Sequence, residues 1–176
     1  MTCLRLGIAG AGIAALQALP ALRGISDKIR LTALADIRAD NMDFIAERYE
    51  GEVARFHSVE AMCESGEIDA VWVATPNHLH AEYTIAAAKA GIHVVCEKPM
   101  AVTLDQCQAM VAAVEAAGVK YVQGHSKVYD TPIRKMGEII KTGELGRVVH
   151  IHSWNWNDWL VRALVASEVD TTQGSG

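Results

Sequence analysis

The sequence has few cysteines and no excess of basic residues, and both shortages exclude classes of protein. Its four cysteines, Cys3, Cys63, Cys96 and Cys107, contain no C-x-x-C pair, which argues against a redox motif, a zinc knuckle or a disulfide framework. We therefore expect packed thiols in a reducing, cytoplasmic protein. Lys and Arg number 16 against 21 Asp and Glu, so we do not expect a nucleic acid partner.

Long apolar runs are also lacking. The most apolar early stretch, residues 4–22, is broken by Gly7, Gly10, Gly12 and Pro20, whereas a membrane-spanning helix needs about 20 consecutive apolar residues. We interpret this stretch as a strand, a turn and a helix, and not as a signal peptide or a membrane anchor.

What the sequence does have is 51% hydrophobic residues in 176, arranged as short apolar segments that alternate with helical ones. Predicted strands cover 4–9, 29–35, 53–56, 70–74, 92–96, 119–123 and, separately, 148–152. Predicted helices cover 13–23, 38–49, 59–65, 77–90, 104–117 and 132–141. Strands that are apolar throughout and separated by helices indicate an α/β fold, a parallel sheet covered on both faces. Six of them fit the doubly wound, Rossmann-like dinucleotide-binding fold.

The first strand leads into a glycine-rich turn. Residues 10–15 read G-x-G-x-x-A, in which Gly10 permits a tight turn and Gly12 lets the backbone approach a pyrophosphate. Ile13 and Ala14 would begin a helix whose free N–H groups face the phosphates. Small residues also suit any tight turn between a strand and a helix, so the motif depends on its context.

An acidic residue supplies that context at the end of the second strand. Asp36 lies 21 positions after Ala15, where a carboxylate would accept hydrogen bonds from the adenosine ribose. The alternative is that Asp36 only caps the next helix. A carboxylate here favours NAD over NADP, although Arg38 could accommodate a 2′-phosphate and leaves NADP open.

Two proline-containing segments follow the fourth and fifth strands. They are Thr75-Pro76-Asn77 and Glu97-Lys98-Pro99, and both would lie at the carboxyl edge of the sheet, where open α/β folds bind ligands. Lys98 could polarise a substrate alcohol or share its proton, which makes it the candidate catalytic residue. The alternative is a surface lysine beside Glu97.

Four segments of the chain resemble the Gfo/Idh/MocA family of NAD(P)-dependent oxidoreductases, named for glucose–fructose oxidoreductase and inositol dehydrogenase. They are residues 7–12 (GIAGAG), 74–80 (ATPNHLH), 91–99 (GIHVVCEKP) and 143–146 (GELG). The resemblance implies that Asn77 and His80 line the cofactor near the nicotinamide ribose and that Glu97 contacts it. It also implies a small-molecule substrate and a homo-oligomer. Without it, His78 and His80 are two imidazoles exposed at a helix start.

The remainder of the chain resembles the family's route into a second, substrate-binding domain. We expect a dinucleotide-binding domain over 1–123 and the beginning of a truncated second α+β domain over 124–176. Lys127 and Tyr129 are candidate substrate contacts, although the family often has Arg or a bulky aromatic residue around 126–128. The Asp/His acid–base pair of the family does not occur in this sequence.

The C-terminal segment concentrates the tryptophans. Trp154, Trp156 and Trp159 fall within six residues, and we expect them to pack against a further sheet or drive self-association. The segment resembles family members that act on cis-dihydrodiols of aromatic acids, in which Arg162 could pair with a substrate carboxylate.

These features predict an oxidoreductase that transfers hydride between nicotinamide and a secondary alcohol of a sugar, a polyol or a cis-dihydrodiol. Two alternatives stay open: a cofactor-binding module without catalysis, and a glycoside hydrolase assisted by bound NAD. A metal site is not expected, because His150 and His152 have no third ligand at a fitting spacing.

Overall fold

The computed structural model describes residues 3–49 and 51–154. The strands are β1 (Leu4–Ala9), β2 (Ile29–Ala35), β3 (Ala54–Phe56), β4 (Ala70–Val73), β5 (His93–Cys96) and β6 (Tyr121–Gln123). The α-helices are α1 (Ile13–Gly24), α2 (Ala39–Ala46), α3 (Val59–Glu64), α4 (His80–Lys89), α5 (Leu104–Ala117) and α6 (Thr131–Thr142). Short 3₁₀ helices cover Asn77–Leu79 and Ser126–Tyr129.

The six strands form one parallel sheet in the order β3-β2-β1-β4-β5-β6. The order reverses between β1 and β4, so the carboxyl ends of these two strands frame the switch point at which such sheets bind ligands. The predicted doubly wound, Rossmann-like fold is confirmed.

Apolar side chains cover both faces of the sheet, as continuous hydrophobic strands require. On one face, Val71, Val73 and Val94 pack with Met62 of α3 and Met110 of α5. On the other face, Ile8, Leu31 and Leu34 pack with Leu19 of α1 and Ile45 of α2. Because the strands are fixed from both sides, the loops at their carboxyl ends start from a rigid frame.

Side-chain caps set the start of two helices. The Thr103 hydroxyl accepts a hydrogen bond from the N–H of Gln106 (3.2 Å), and the Gln106 side-chain oxygen accepts one from the N–H of Thr103 (3.2 Å). This is the predicted capping box of α5. The Ser58 hydroxyl accepts from the N–H of Ala61 (3.1 Å) at the start of α3.

Two predicted elements differ from the structure. The predicted helix 38–49 ends at Ala46, because the chain turns so that Tyr49 is buried and its hydroxyl accepts a hydrogen bond from the N–H of Leu31 (3.0 Å). The predicted strand 148–152 is not formed, and the prediction was wrong there. A strand needs a partner for its ladder, and no strand in the described residues pairs with this segment.

The cysteines are free thiols. Burial raises the pKa of Cys63 to about 11, and burial likewise raises the pKa of Cys96. Both thiols therefore stay protonated and act as small apolar side chains. Within the described part of the chain, the helices are too short or too polar to cross a membrane.

Candidate cofactor site

The glycine turn after β1 is built for close packing on one side and open space on the other. Gly10 has a φ of +95°, and a Cβ placed on it would lie 2.7 Å from the carbonyl oxygen of Ala74. A Cβ on Gly12 would meet nothing within 4 Å. The turn is thus pressed against the end of β4 at Gly10 and leaves room for a ligand at Gly12.

Helix α1 begins directly after this turn. Its N-cap is Gly12, which has no side chain to bond the first N–H groups, and its first turn contains no acidic residue. Ile13 and Ala14 lie in that first turn, and the buried Ala15 holds the helix close to the sheet. The positive end of the helix is consequently available to an anion such as a pyrophosphate.

Asp36 lies beside the same turn. Its carboxylate accepts one hydrogen bond from the N–H of Ala11 (2.8 Å) and another from the N–H of Arg38 (2.8 Å). These two bonds fix the carboxylate next to the glycine turn, where its remaining lone pairs can accept from ribose hydroxyls. The N-cap of α2 is Arg38, without a side-chain cap, so the position of Asp36 is not explained by helix capping alone.

A cleft of about 430 Å³ runs along this edge of the sheet. Six of the predicted residues line it: Gly10, Gly12, Asp36, Arg38, Thr75 and Pro76. The cleft is also lined by residues that no motif predicted, among them Asn41, His57, Ser58, His78 and Tyr83. His57 and Ser58 directly follow β3, so the rule that identified Asp36 after β2 could have found them too.

Tyr83 forms an apolar, aromatic part of the cleft wall. Burial raises the pKa of its phenol, and the nearby carboxylates of Glu82, Glu60 and Asp36 raise it further. The hydroxyl therefore stays neutral at physiological pH and can donate a hydrogen bond to a ligand.

The loop after β4 contributes an orphaned polar atom. The Thr75 hydroxyl oxygen is buried and has no hydrogen-bond partner among the described residues. A buried hydroxyl without a partner costs free energy unless a ligand or water satisfies it. Together with the open space at Gly12 and the uncapped start of α1, this fits a dinucleotide in the cleft.

His80 lies behind the cleft wall. The ring is fully buried, with Nδ1 2.7 Å from the carbonyl oxygen of Pro99 and Nε2 2.9 Å from that of Thr75. Of the two histidines in this segment, the sequence favoured His80 as the functional one, whereas the side chain that lines the cleft is that of His78. His80 instead joins the loops after β4 and β5.

The segment Glu97-Lys98-Pro99 follows β5 at the same edge. Lys98 and Pro99 are exposed, Glu97 is half-buried, and the Lys98–Pro99 peptide bond is cis. The N–H of Lys98 donates to the Glu97 carboxylate (3.2 Å). In the described part of the chain, no side chain holds the Lys98 ammonium by a hydrogen bond or an ion pair.

The strand order places these groups in a line. Asp36 follows β2, the glycine turn follows β1, Thr75 follows β4 and Lys98 follows β5. A dinucleotide with its pyrophosphate on the glycine turn would therefore have adenosine toward Asp36 and nicotinamide toward Lys98.

The predicted substrate contacts lie farther along the chain. Lys127 is exposed and forms an ion pair with Asp130 (3.3 Å), and Tyr129 is 66% exposed. Arg162, with Trp156 and Trp159, lies outside the described residues.

The two histidines considered as metal ligands lie close together. The rings of His150 and His152 are 6.0 Å apart between centroids. Across residues 3–49 and 51–154, however, no group of three His, Cys, Asp or Glu side chains is placed to hold a metal ion.

A doubly wound sheet, a glycine turn and an acidic residue at the switch point define a dinucleotide-binding Rossmann domain. Residues 4–125 match the family described as "Oxidoreductase family, NAD-binding Rossmann fold", Gfo/Idh/MocA. The chain belongs to this family, as the sequence predicted.

Among characterised relatives, the chain is 36% identical to 1-carboxy-3-chloro-3,4-dihydroxycyclohexa-1,5-diene dehydrogenase of Comamonas testosteroni, over 98% of this chain and 43% of the relative. Among solved structures, a provisionally assigned dehydrogenase from Bordetella bronchiseptica RB50 superposes with a TM-score of 0.89 at 33% identity, over 99% of this chain and 45% of the other. The WlbA dehydrogenase of Bordetella pertussis, solved with NADH and UDP-GlcNAcA, superposes with a TM-score of 0.77 at 28% identity, over 83% of this chain and 44% of the other. The chain thus spans less than half the length of these relatives.

Proposed function

We propose that this chain forms the cofactor-binding part of an NAD-dependent dehydrogenase that oxidises a secondary alcohol or reduces the corresponding ketone. The observation that carries the proposal is the line of groups along the carboxyl edge of the sheet, from Asp36 through Gly12 to Lys98. The proposal includes a cofactor domain over 1–123 and a second, substrate-binding region that begins at 124.

Each group has a distinct task in this proposal. Gly12 and the start of α1 bind the pyrophosphate, and Asp36 binds the adenosine ribose. The otherwise unpaired hydroxyl of Thr75 forms a hydrogen bond with the ligand. When bound, the nicotinamide ring supplies the hydride acceptor or donor. Lys98 holds the substrate oxygen through an N–H of its Nζ, which favours the transfer because the oxygen gains or loses a proton as the carbon exchanges hydride.

We propose NAD as the preferred form of the cofactor. The Asp36 carboxylate would repel a 2′-phosphate, whereas Arg38, which is exposed at the cleft, is the feature that would favour NADP. Fluorescence titration with NADH and with NADPH tests this directly. A lower Kd for NADPH would reverse the assignment.

We propose a carboxylated cis-dihydrodiol as the substrate, ahead of sugars and polyols. The support is the 36% identity to the Comamonas testosteroni dehydrogenase over almost the whole chain. Lys127, Tyr129 and Arg162 are the proposed substrate contacts, and the guanidinium of Arg162 suits a carboxylate. NADH formation with the dihydrodiol acid, but not with the same dihydrodiol without its carboxylate, is the expected result, and formation with inositol alone would contradict it.

The same assay separates the two alternatives. Cofactor binding with no turnover of any substrate would favour a binding module. Turnover of a glycoside without net NADH would favour the hydrolase.

We also propose that the protein is a cytoplasmic homo-oligomer. Free thiols suit a reducing compartment. Exposed apolar side chains late in the described chain, including Val149 (79% exposed) and Trp154 (71% exposed), suit a contact between subunits. Sedimentation equilibrium that shows only monomers would contradict the oligomer.

A further inference from the structure

The backbone around Lys98 is held on one side by the last strand of the sheet. The side-chain amide of Gln123, at the end of β6, donates hydrogen bonds to the carbonyl oxygens of Glu97 (2.9 Å) and Cys96 (3.2 Å). Carbonyl oxygens only accept, so the amide nitrogen must be the group that faces them. The carbonyl of Glu97 belongs to the peptide group that precedes Lys98.

The orientation of that amide is itself fixed. Tyr121 lies two residues earlier on β6, hence on the same face of the sheet, and its hydroxyl donates to the side-chain oxygen of Gln123 (2.5 Å). Burial raises the pKa of Tyr121 above its ordinary value, so the hydroxyl remains a donor. The amide nitrogen of Gln123 is therefore turned toward the loop that contains Lys98.

His80 holds the other side of the same loop. Its Nδ1 contacts the carbonyl oxygen of Pro99, one residue after Lys98, while its Nε2 contacts that of Thr75 in the neighbouring loop. Since both partners only accept, each contact is a hydrogen bond when the ring nitrogen that faces the carbonyl carries the proton. Burying a polar ring costs free energy that an apolar side chain of similar size would not cost. Packing alone therefore does not explain why a histidine is buried at position 80.

Lys98 thus lies between two carbonyl groups that are fixed from opposite sides. The N–H of Glu97 adds a third attachment, to the carbonyl oxygen of Val73 (2.9 Å). Because no side chain in the described residues holds the ammonium, its position depends on where the backbone places Cα. A displacement of about 1 Å at a reacting group can reduce a rate on the order of 100-fold.

We propose that His80 and Gln123 are positioning residues that fix Lys98 from two sides, with Tyr121 orienting Gln123. The inference rests on the proposed function of Lys98 and extends it to residues that do not themselves touch the substrate. It also gives His80 a different task from the direct cofactor contact that the resemblance implies.

Hydrogen exchange of the backbone amides tests the inference without any cofactor. The variants are His80→Phe, Gln123→Met and Tyr121→Phe, and Gln108→Met on the exposed surface of α5 is the neutral control. His93→Phe is a second control, which loses a hydrogen bond from the N–H of Lys120 (3.2 Å) at the opposite end of β5 and so tests whether any lost bond at this strand has the same effect. We expect the amides of residues 97, 98 and 100 (Pro99 has no N–H) to exchange roughly three- to tenfold faster in the first two variants, since each variant loses a hydrogen bond to this loop. The Tyr121 variant should show a smaller increase, and the controls none.

The amides of β1 serve as the internal reference. Unchanged exchange at residues 97, 98 and 100 would overturn the inference. An equal increase in β1 would overturn it too, because it would mean a general loss of stability. The variant His80→Gln keeps one N–H donor and should recover part of the protection.

A second measurement connects the loop to the nicotinamide. Affinities for NADH and for ADP-ribose, which lacks nicotinamide, are compared in each variant. We expect Gln123→Met to weaken NADH binding roughly three- to tenfold and to leave ADP-ribose binding within about twofold of wild type. His80→Phe also loses the bond to the Thr75 carbonyl in the cleft wall and should weaken the binding of both ligands. Equal losses for both ligands in Gln123→Met would overturn the inference. Failure of the wild-type chain to bind either ligand would contradict the proposed function, and the exchange experiment would then decide the inference alone.

Discussion

Alanine at Gly10 should mainly lower stability, whereas alanine at Gly12 should mainly lower cofactor affinity. At Gly10 the φ of +95° costs a residue with a Cβ about 1–2 kcal/mol. The methyl group would also lie 2.7 Å from the Ala74 carbonyl oxygen, and the shift needed to relieve such an overlap costs about 1–3 kcal/mol. Gly10→Ala should therefore lower the free energy of unfolding by about 2–5 kcal/mol.

Gly12→Ala meets neither difficulty. Its φ is −93°, and the added methyl would have open space around it. The loss of stability should stay at or below about 1 kcal/mol, the usual cost of alanine at an N-cap. That open space is where the backbone would approach a pyrophosphate, so NADH affinity should fall at least about tenfold, or about 1.4 kcal/mol.

Urea unfolding followed by far-UV circular dichroism measures the first quantity, and a fluorescence titration with NADH measures the second. Gly24→Ala, at the end of α1 and with nothing within 4 Å of its added methyl, is the control for a harmless glycine substitution. If Gly12→Ala binds NADH as tightly as the wild type, the pyrophosphate does not lie on this turn. If it unfolds as easily as Gly10→Ala, the methyl group added at position 12 does not have open space around it.

Three further substitutions test the site and the frame beneath it. Asp36→Asn should weaken NADH binding about tenfold, because a neutral amide replaces a charged acceptor. It should also lower the ratio of the NADPH dissociation constant to the NADH dissociation constant, measured by titration. Thr103→Ala should lower the free energy of unfolding by about 1 kcal/mol, and Thr103→Ser should restore it, in urea unfolding. Arg5 holds the pKa of Asp69 below its usual 3.8, so the stabilisation is present above that pH and disappears as the pH falls through the folded-state value. The stability difference between wild type and Asp69→Asn, which is small because the pair is exposed, should accordingly shrink in unfolding curves taken below pH 4.

The elements that the sequence predicted well are those whose cause is local. Examples are the capping box at Thr103, a glycine after a helix and an uninterrupted apolar strand. Each of these is determined by residues only a few positions apart in the sequence. The segment 148–152 shows the limit of that approach, because its local sequence is compatible with a strand but pairing depends on a partner elsewhere. Helix α2 shows it again, since Tyr49 leaves the helix for a hydrogen bond with a strand 18 residues away.

The residues of the site also fall into two groups, those that the local sequence predicts and those that depend on distant contacts. Gly12, Asp36 and Lys98 were predictable because each follows a strand, and all carboxyl ends of a parallel sheet lie at one edge. The contacts of His80 depend instead on two loops, one 5 and the other 19 residues away in sequence. The local sequence does not reveal whether a histidine at the start of a helix has an exposed or a buried ring. Only the three-dimensional structure distinguishes the two cases.

Gln123 illustrates why the support of a catalytic residue is harder to see than the residue itself. Lys98 belongs to a recognisable E-K-P segment, whereas a glutamine at the end of a short strand has no motif of its own. Its importance arises because β6 lies beside β5 in the sheet, which brings its amide against a loop 26 residues earlier in the chain. If positioning by Gln123 and His80 is correct, the reactivity of Lys98 depends on the order of the strands as much as on the segment that contains it.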